Sequence, residues 1–179
     1  IDNKTFVFLY LGRINKDKGI IELINAFKEI KLKNVLLIFV GQVEEQKIIH
    51  LFKKDNRILY FKFTDKPEFW FSVADILCLP SHREGFGTVV IEAASCGIPS
   101  LCSNVYGLKN AVLESKTGFF HKPGSKKDIK KKMLYILNNK KQVKKYGIAA
   151  KKRVIKEFEQ GLVTEKFLKF INSNILQND

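Results

Sequence analysis

Cysteine is scarce in this chain: three in 179 residues, Cys78, Cys96 and Cys102, each in or beside an apolar run and none in a CxxC pair. That spacing suits neither a zinc site nor a redox couple, and it reads as buried, reduced thiols in a cytoplasmic protein. Histidine is equally thin, and His50, His82 and His121 are too scattered to form a ligand set, so no metal is expected. No apolar run approaches the roughly 20 residues of a membrane span, and the first residues lack the charged-then-apolar order of a secretion signal. Methionine occurs once, at Met133, and the chain opens at Ile1 just before a strand-like run. It is therefore expected to be an excised piece of a longer protein. Repeats, low-complexity linkers and a second domain boundary are all missing, so residues 1–179 read as a single domain.

Charge, by contrast, is abundant and one-sided, at +14 overall. Residues 116–156 carry fourteen lysines and Arg153 against Asp128 alone, a net of +14, so the rest of the chain balances to zero. Helical spacing of Ile129, Met133, Ile136 and Leu137 puts Lys126, Lys127, Lys130 and Lys131 on a solvent face; a following helix turns Val143, Tyr146, Ala150 and Val154 inward. Two readings stand level for this basic face: plain solvation, and attraction to an anionic membrane surface. Nucleic acid is not an expected partner, because no recognition module is visible and lysine outnumbers arginine by 28 to 4.

The apolar runs TFVFLYLG (5–12) and NVLLIFVG (34–41) each end in glycine, as buried parallel strands do. Between them Ile20, Leu23, Ile24 and Phe27 keep helical spacing. Shorter strands are predicted at Ile58–Phe61, Asp75–Leu79 and Pro99–Cys102, with helical or loop segments around Gln46–Lys53, Pro67–Val73 and Thr88–Ser95 and a last helix over Gly161–Ile175. This alternation predicts an α/β fold: a doubly wound, mostly parallel, Rossmann-like sheet with helices on both faces.

In such a sheet, ligands meet the loops at the carboxyl ends of the strands. GRINKDKG (12–19) offers Arg13 and Lys18 beside glycines and ahead of a helix, a pairing suited to a diphosphate. HREGFG (82–87) joins a strand to a helix predicted to start near Thr88; Gly85 and Gly87 let backbone N–H groups approach a ligand, and Glu92 falls one turn into that helix. With Val89, Val90 and Ile91 beside it, Glu92 is expected to lie in largely buried surroundings. Its two oxygens could accept from the vicinal hydroxyls of a ribose, and Glu84 from those of a hexose. Two carboxylates also suit glycoside hydrolysis, but a cationic loop implies a phosphate leaving group.

Together, GRINKDKG, ADILCLPSHREGFGTVVIEAASCGIPS and TGFFHKPG resemble the C-terminal, donor-binding domain of retaining glycosyltransferases of family 4, with the GT-B fold, over about residues 5–175. The two glutamates flanking Gly-Phe-Gly are its most specific element. The resemblance implies a UDP- or GDP-sugar donor, transfer to a glycan or lipid-linked glycan held by an absent N-terminal domain, and neither cofactor nor metal. It makes Arg13 and Lys18 the diphosphate ligands, Glu84 the contact to the donor sugar and Glu92 the contact to the ribose. Gly12, Gly41, Gly85 and the backbone of Phe86, Gly87, Thr88 and Val89 complete the donor site, and the loop at Lys62–Thr64 borders the base. Lys62 stands where relatives commonly have glycine, and Asn110 where many have an acid. The implied setting is cell-surface polysaccharide or glycolipid synthesis, in the cytoplasm or on the inner face of the membrane. Two other classes stay open at this point: an epimerase of similar fold, and a non-catalytic basic binding domain.

Overall fold

A computed structural model describes residues 4–174. Six strands, β1 (Phe6–Leu11), β2 (Val35–Val40), β3 (Ile58–Phe61), β4 (Ile76–Leu79), β5 (Ser100–Ser103) and β6 (Gly118–His121), form one sheet in the order β3-β2-β1-β4-β5-β6. Every pairing is parallel, with Phe6 opposite Val35 between β1 and β2 and Phe8 opposite Ile76 between β1 and β4. Among the described residues there are seven α-helices: α1 (Ile20–Lys28), α2 (Gln46–Phe52), α3 (Pro67–Val73) and α4 (Thr88–Ser95) follow β1 to β4 in turn, and α5 (Lys126–Asn138), α6 (Lys140–Glu157) and α7 (Gln160–Asn174) follow β6 in succession. Short 3-10 turns lie at Lys16–Lys18 and Tyr106–Leu108.

The strands run continuously apolar because helices cover both of their faces. Phe6, Val7, Phe8, Leu9 and Tyr10 are all buried, as is the whole of β4. On one side α1 packs against α2 and α5; on the other α4 packs against α3 and α6. α1 presents Ile20, Leu23, Ile24 and Phe27 to the core, as its spacing predicts. The strand order reverses between β1 and β4, the two strands that start their crossovers in opposite directions. A crevice therefore opens at their carboxyl ends, where residues 12–19 and 80–87 emerge.

Some expectations need correction. Cys78 and Cys102 are buried, but Cys96 is exposed, because it caps the carboxyl end of α4 instead of entering the core. Val154 is half-buried, Gly147 taking the inward place beside Tyr146 and Ala150. Lys130 is not simply solvated: together with Lys126 it clamps Glu29 at the end of α1, at 2.7 and 2.8 Å, and this pair of ammonium groups holds the Glu29 carboxyl down at about 2. Residues 118–121, within the TGFFHKPG motif, form a further strand, β6, in register with β5. The last predicted helix matches α7 up to Asn174; Ile175 lies outside the described residues.

Candidate active site

Loop 12–19 is built by alternation. Ile14 is fully buried and pairs with Val43 in an isolated parallel bridge, which leaves Arg13 pointing outward on one side of it. Asn15 then caps the following turn by accepting from the Lys18 N–H at 3.2 Å, and so fixes where the Lys18 side chain begins. Beneath the loop, Tyr10 is buried and donates its hydroxyl to the Arg13 carbonyl at 2.5 Å. Burial, with the Glu84 carboxylate nearby, pushes the Tyr10 phenol well above its ordinary value, so it remains a donor.

The second loop leaves β4 through Ser81, which is buried, and carries Glu84 back over the sheet. Glu84 meets Lys18: the Lys18 ammonium donates to Oε1 at 2.5 Å, and the Ser81 hydroxyl donates to the same oxygen at 2.9 Å. Both charged side chains are mostly enclosed, 18% and 15% exposed, so this pair is less screened than a surface bridge. Gly87, in the left-handed region at φ 70°, opens α4; a Cβ there would press on Leu108. Gly107 fills the tightest place under the loop, where a Cβ would sit 2.0 Å from the Glu84 carbonyl oxygen.

These pieces line one cleft of about 350 Å³, walled by Tyr10, Gly12, Arg13, Lys18, Glu84, Phe86, Gly87, Thr88, Val89 and Glu92. Thr88 and Val89, the first two residues of α4, line it, and a helix start leaves such N–H groups without intrahelical acceptors. A second hollow of about 250 Å³ shares Leu11, Gly12 and Arg13 with the first and continues it past Val40, Gly41, Gln42, Phe63 and Thr64. Gly41 touches the Gly12 carbonyl so closely that no side chain fits between β1 and β2 there. Phe63 is 76% exposed, an aromatic face offered to the hollow and not a core residue. Gln42 and Thr64 add amide and hydroxyl groups at its rim.

Of the residues singled out in the sequence, Gly41 falls in the second hollow, and Gly85 is exposed with its carbonyl against Gly107, outside both linings. Of the loop Lys62–Thr64, Phe63 and Thr64 line the second hollow and Lys62 lines neither; Gly12, Arg13, Lys18, Glu84, Phe86, Gly87, Thr88, Val89 and Glu92 share the first cleft. Glu92 is corrected in one respect: it is exposed to the cleft, because Val90, Ala93 and Ala94 occupy the inward face of α4 and turn Glu92 away from the core. The Lys18–Glu84 pairing, Tyr10, Ser81 and the Gly107 support emerge only in the fold. Tyr10 sits in an apolar run that reads as core, and nothing in linear spacing joins Lys18 to Glu84. Among the described residues no three His, Cys, Asp or Glu side chains converge as a metal site would need.

The family model "Glycosyl transferases group 1" matches residues 1–153. The chain belongs to that family. It is 33% identical over 184 residues to the capsular polysaccharide biosynthesis glycosyltransferase CapM of Staphylococcus aureus, a match covering 99% of this chain and 48% of CapM. In fold it is similar to Anabaena HepE, solved in complex with UDP and glucose, with TM-score 0.87 and 20% identity over 95% of this chain and 49% of that one. It is similar also to the C-terminal domain of LpcC, a group 1 family glycosyl transferase from Francisella tularensis, with TM-score 0.75 and 22% identity, 87% of each chain being covered. The chain spans about half the length of the full-length curated relatives it matches. Its fold is that of the C-terminal domain of GT-B glycosyltransferases.

Proposed function

We propose that this chain is the donor-binding half of a retaining glycosyltransferase that takes a UDP-sugar, through the two joined hollows at the carboxyl ends of β1 and β4. One observation carries the reading: two cations, two carboxylates and the start of α4 face a single cleft, and that cleft runs on into a hollow with an exposed aromatic ring. Charge decides how a donor lies. The diphosphate goes to Arg13, Lys18 and the N–H groups of α4, where positive charge and helix dipole add. The base enters the second hollow against Phe63, within reach of Gln42 and Thr64. Glu92 accepts from the ribose hydroxyls between them, and Glu84 from the sugar.

Lys18 and Glu84 are bonded to each other in the structure, so donor binding redistributes an existing pair. Lys18 turns one proton toward the diphosphate, and Glu84 keeps its Ser81 bond while gaining a sugar hydroxyl as donor. In the reaction the bond from the anomeric carbon to the diphosphate oxygen breaks, the acceptor oxygen bonds that carbon, and the acceptor proton leaves with the nucleoside diphosphate. Arg13, Lys18 and the α4 N–H groups stabilise the charge that grows on the departing oxygen. The relative CapM supports a role in cell-surface polysaccharide synthesis, and the UDP and glucose bound by HepE support a UDP-sugar.

The test is calorimetric titration of the chain with UDP, GDP and ADP, beside the Glu92→Ala and Lys18→Ala variants. Saturable binding of UDP, weakened about tenfold or more by each change, is the expected result; one lost charge-assisted bond is worth that much. Preference for GDP would redirect the donor assignment, and binding indifferent to both substitutions would remove the cleft from the reading.

A further inference from the structure

The two lysine-rich helices differ in what their charge meets. On α5, Lys126 and Lys130 are bound to Glu29, and Lys132 to Glu114 at 3.1 Å, so three of its five lysines serve the fold. On α6 the one acid, Glu157, is taken by Arg153 at 2.8 Å. Lys141, Lys145 and Lys152 have no carboxylate partner among the described residues.

Position sharpens the contrast. Val143, Tyr146, Gly147 and Ala150 bury one side of α6. On the opposite side Lys141, Lys145, Ile148, Lys152 and Ile155 recur at intervals of four and three, which makes one straight exposed stripe. It runs about 21 Å along the helix at the usual rise. Ile148 and Ile155 are 60% and 61% exposed, each set between lysines. Plain solvation explains the lysines; it does not explain bare isoleucines placed among them.

We infer that the outer face of α6 docks on an anionic lipid surface, its isoleucines entering the headgroup layer while the lysines meet lipid phosphates. Each part suits that partner: cations above an anionic plane, with short apolar side chains between them to take up the interface. A nucleic-acid groove would match the lysines and leave the isoleucines against phosphate. The stripe also ends close to the donor cleft. Phe158, one turn beyond Ile155, packs its ring tilted against Phe86 of the 82–87 loop, centroids 5.7 Å apart, so docking holds the cleft beside the membrane. This surface is independent of the donor reading, since none of its five residues lines either hollow.

The experiment is co-sedimentation of the chain with phosphatidylcholine vesicles, with and without phosphatidylglycerol, at physiological ionic strength. Binding is expected only to the anionic vesicles. The double change Lys145→Glu with Lys152→Glu should weaken it by roughly thirtyfold or more, from about a fivefold loss per lysine near the surface. Ile148→Ser with Ile155→Ser should weaken it about tenfold by removing apolar insertion. A charge-matched control, Lys127→Glu with Lys131→Glu on α5, should stay within about threefold, because those lysines lie off the α6 stripe and exposed charges outside the contact are largely screened by salt. Circular dichroism checks that each variant is folded. No wild-type binding, equal loss in the α5 control, or indifference to the isoleucine changes would overturn the inference. So would duplex oligonucleotide binding that depends on the same lysines without vesicle binding.

Discussion

Lys18 and Glu84 lie 66 residues apart in sequence and 2.5 Å apart in the fold, and most of the candidate chemistry turns on that pair. Neutralising Glu84 as Glu84→Gln should lower stability by about 1–3 kcal/mol, since the mostly enclosed Lys18 ammonium loses its counter-charge while Ser81 can still bond the amide. Catalysis is a different matter: Lys18→Ala in a whole enzyme should lower turnover about a hundred- to a thousandfold, as removal of one such group typically does. Steady-state rates of the two variants, set beside their melting curves, separate the roles; unaltered turnover by Lys18→Ala would refute its part. His121 gives a second residue-scale expectation. It is buried, its Nδ1 sits 3.0 Å from the Lys122 carbonyl, its Nε2 has no partner, and burial lowers its pKa. The folded chain thus resists a proton that the unfolded chain takes up near pH 6.5, so the stability contributed by neutral His121 is complete above that pH and is lost as pH falls below it. Stability should drop by up to about 1.4 kcal/mol per pH unit from this group, and His121→Gln should flatten that slope when melting is followed from pH 7 to 5. Such facts sit beyond linear reading: residue types and loops name Arg13, Lys18, Glu84 and Glu92, but which cation meets which carboxylate depends on the crossing of two loops.

Elements were easier to read than pairings, for a physical reason. β1 and β2 are long apolar runs closed by glycine, and α1 repeats its apolar positions at helical spacing, so local pattern and burial agree. β6 failed that test. It has four residues, Gly118–His121, and neither a long run nor alternation, and what makes it a strand is its register with β5. Gly118 allows the contact, since a Cβ there would sit 2.4 Å from the Ser100 carbonyl oxygen. The 3-10 turn at Tyr106–Leu108 is another tertiary feature, and it supports the 82–87 loop from below through Gly107. Gly107→Ala should therefore act on the site before it acts on the fold. The added carbon must push the loop off the Glu84 and Gly85 carbonyls, at a cost of about 1–3 kcal/mol for overpacking, and nucleotide-sugar affinity should fall by more than that of the bare nucleotide, because Glu84 is the group displaced. Equal losses for UDP and UDP-sugar would show that the loop does not hold the sugar.

At the scale of the whole molecule, the order β3-β2-β1-β4-β5-β6 places one crevice where loops 12–19 and 80–87 must meet, and that much followed from the alternation of strands and helices before any distance was known. What alternation does not supply is the other wall. The chain spans about half of its full-length curated relatives, and in the donor reading the acceptor belongs to the remaining half. Binding and turnover should then come apart. A ligand that binds only the folded state adds RT ln(1 + [L]/Kd), about 2.7 kcal/mol at a hundredfold excess over Kd. For a chain of this length that should raise Tm by roughly 5–10 °C with UDP, while the same chain transfers no sugar from UDP-sugar to water or to an added glycan. A shift with UDP and none with ADP locates base selection in this half, at the hollow with Phe63 and Gln42. A flat response to every nucleotide, in a chain that melts cooperatively, would mean that the donor site is completed from across the crevice, and that Arg13 and Lys18 are one side of it only.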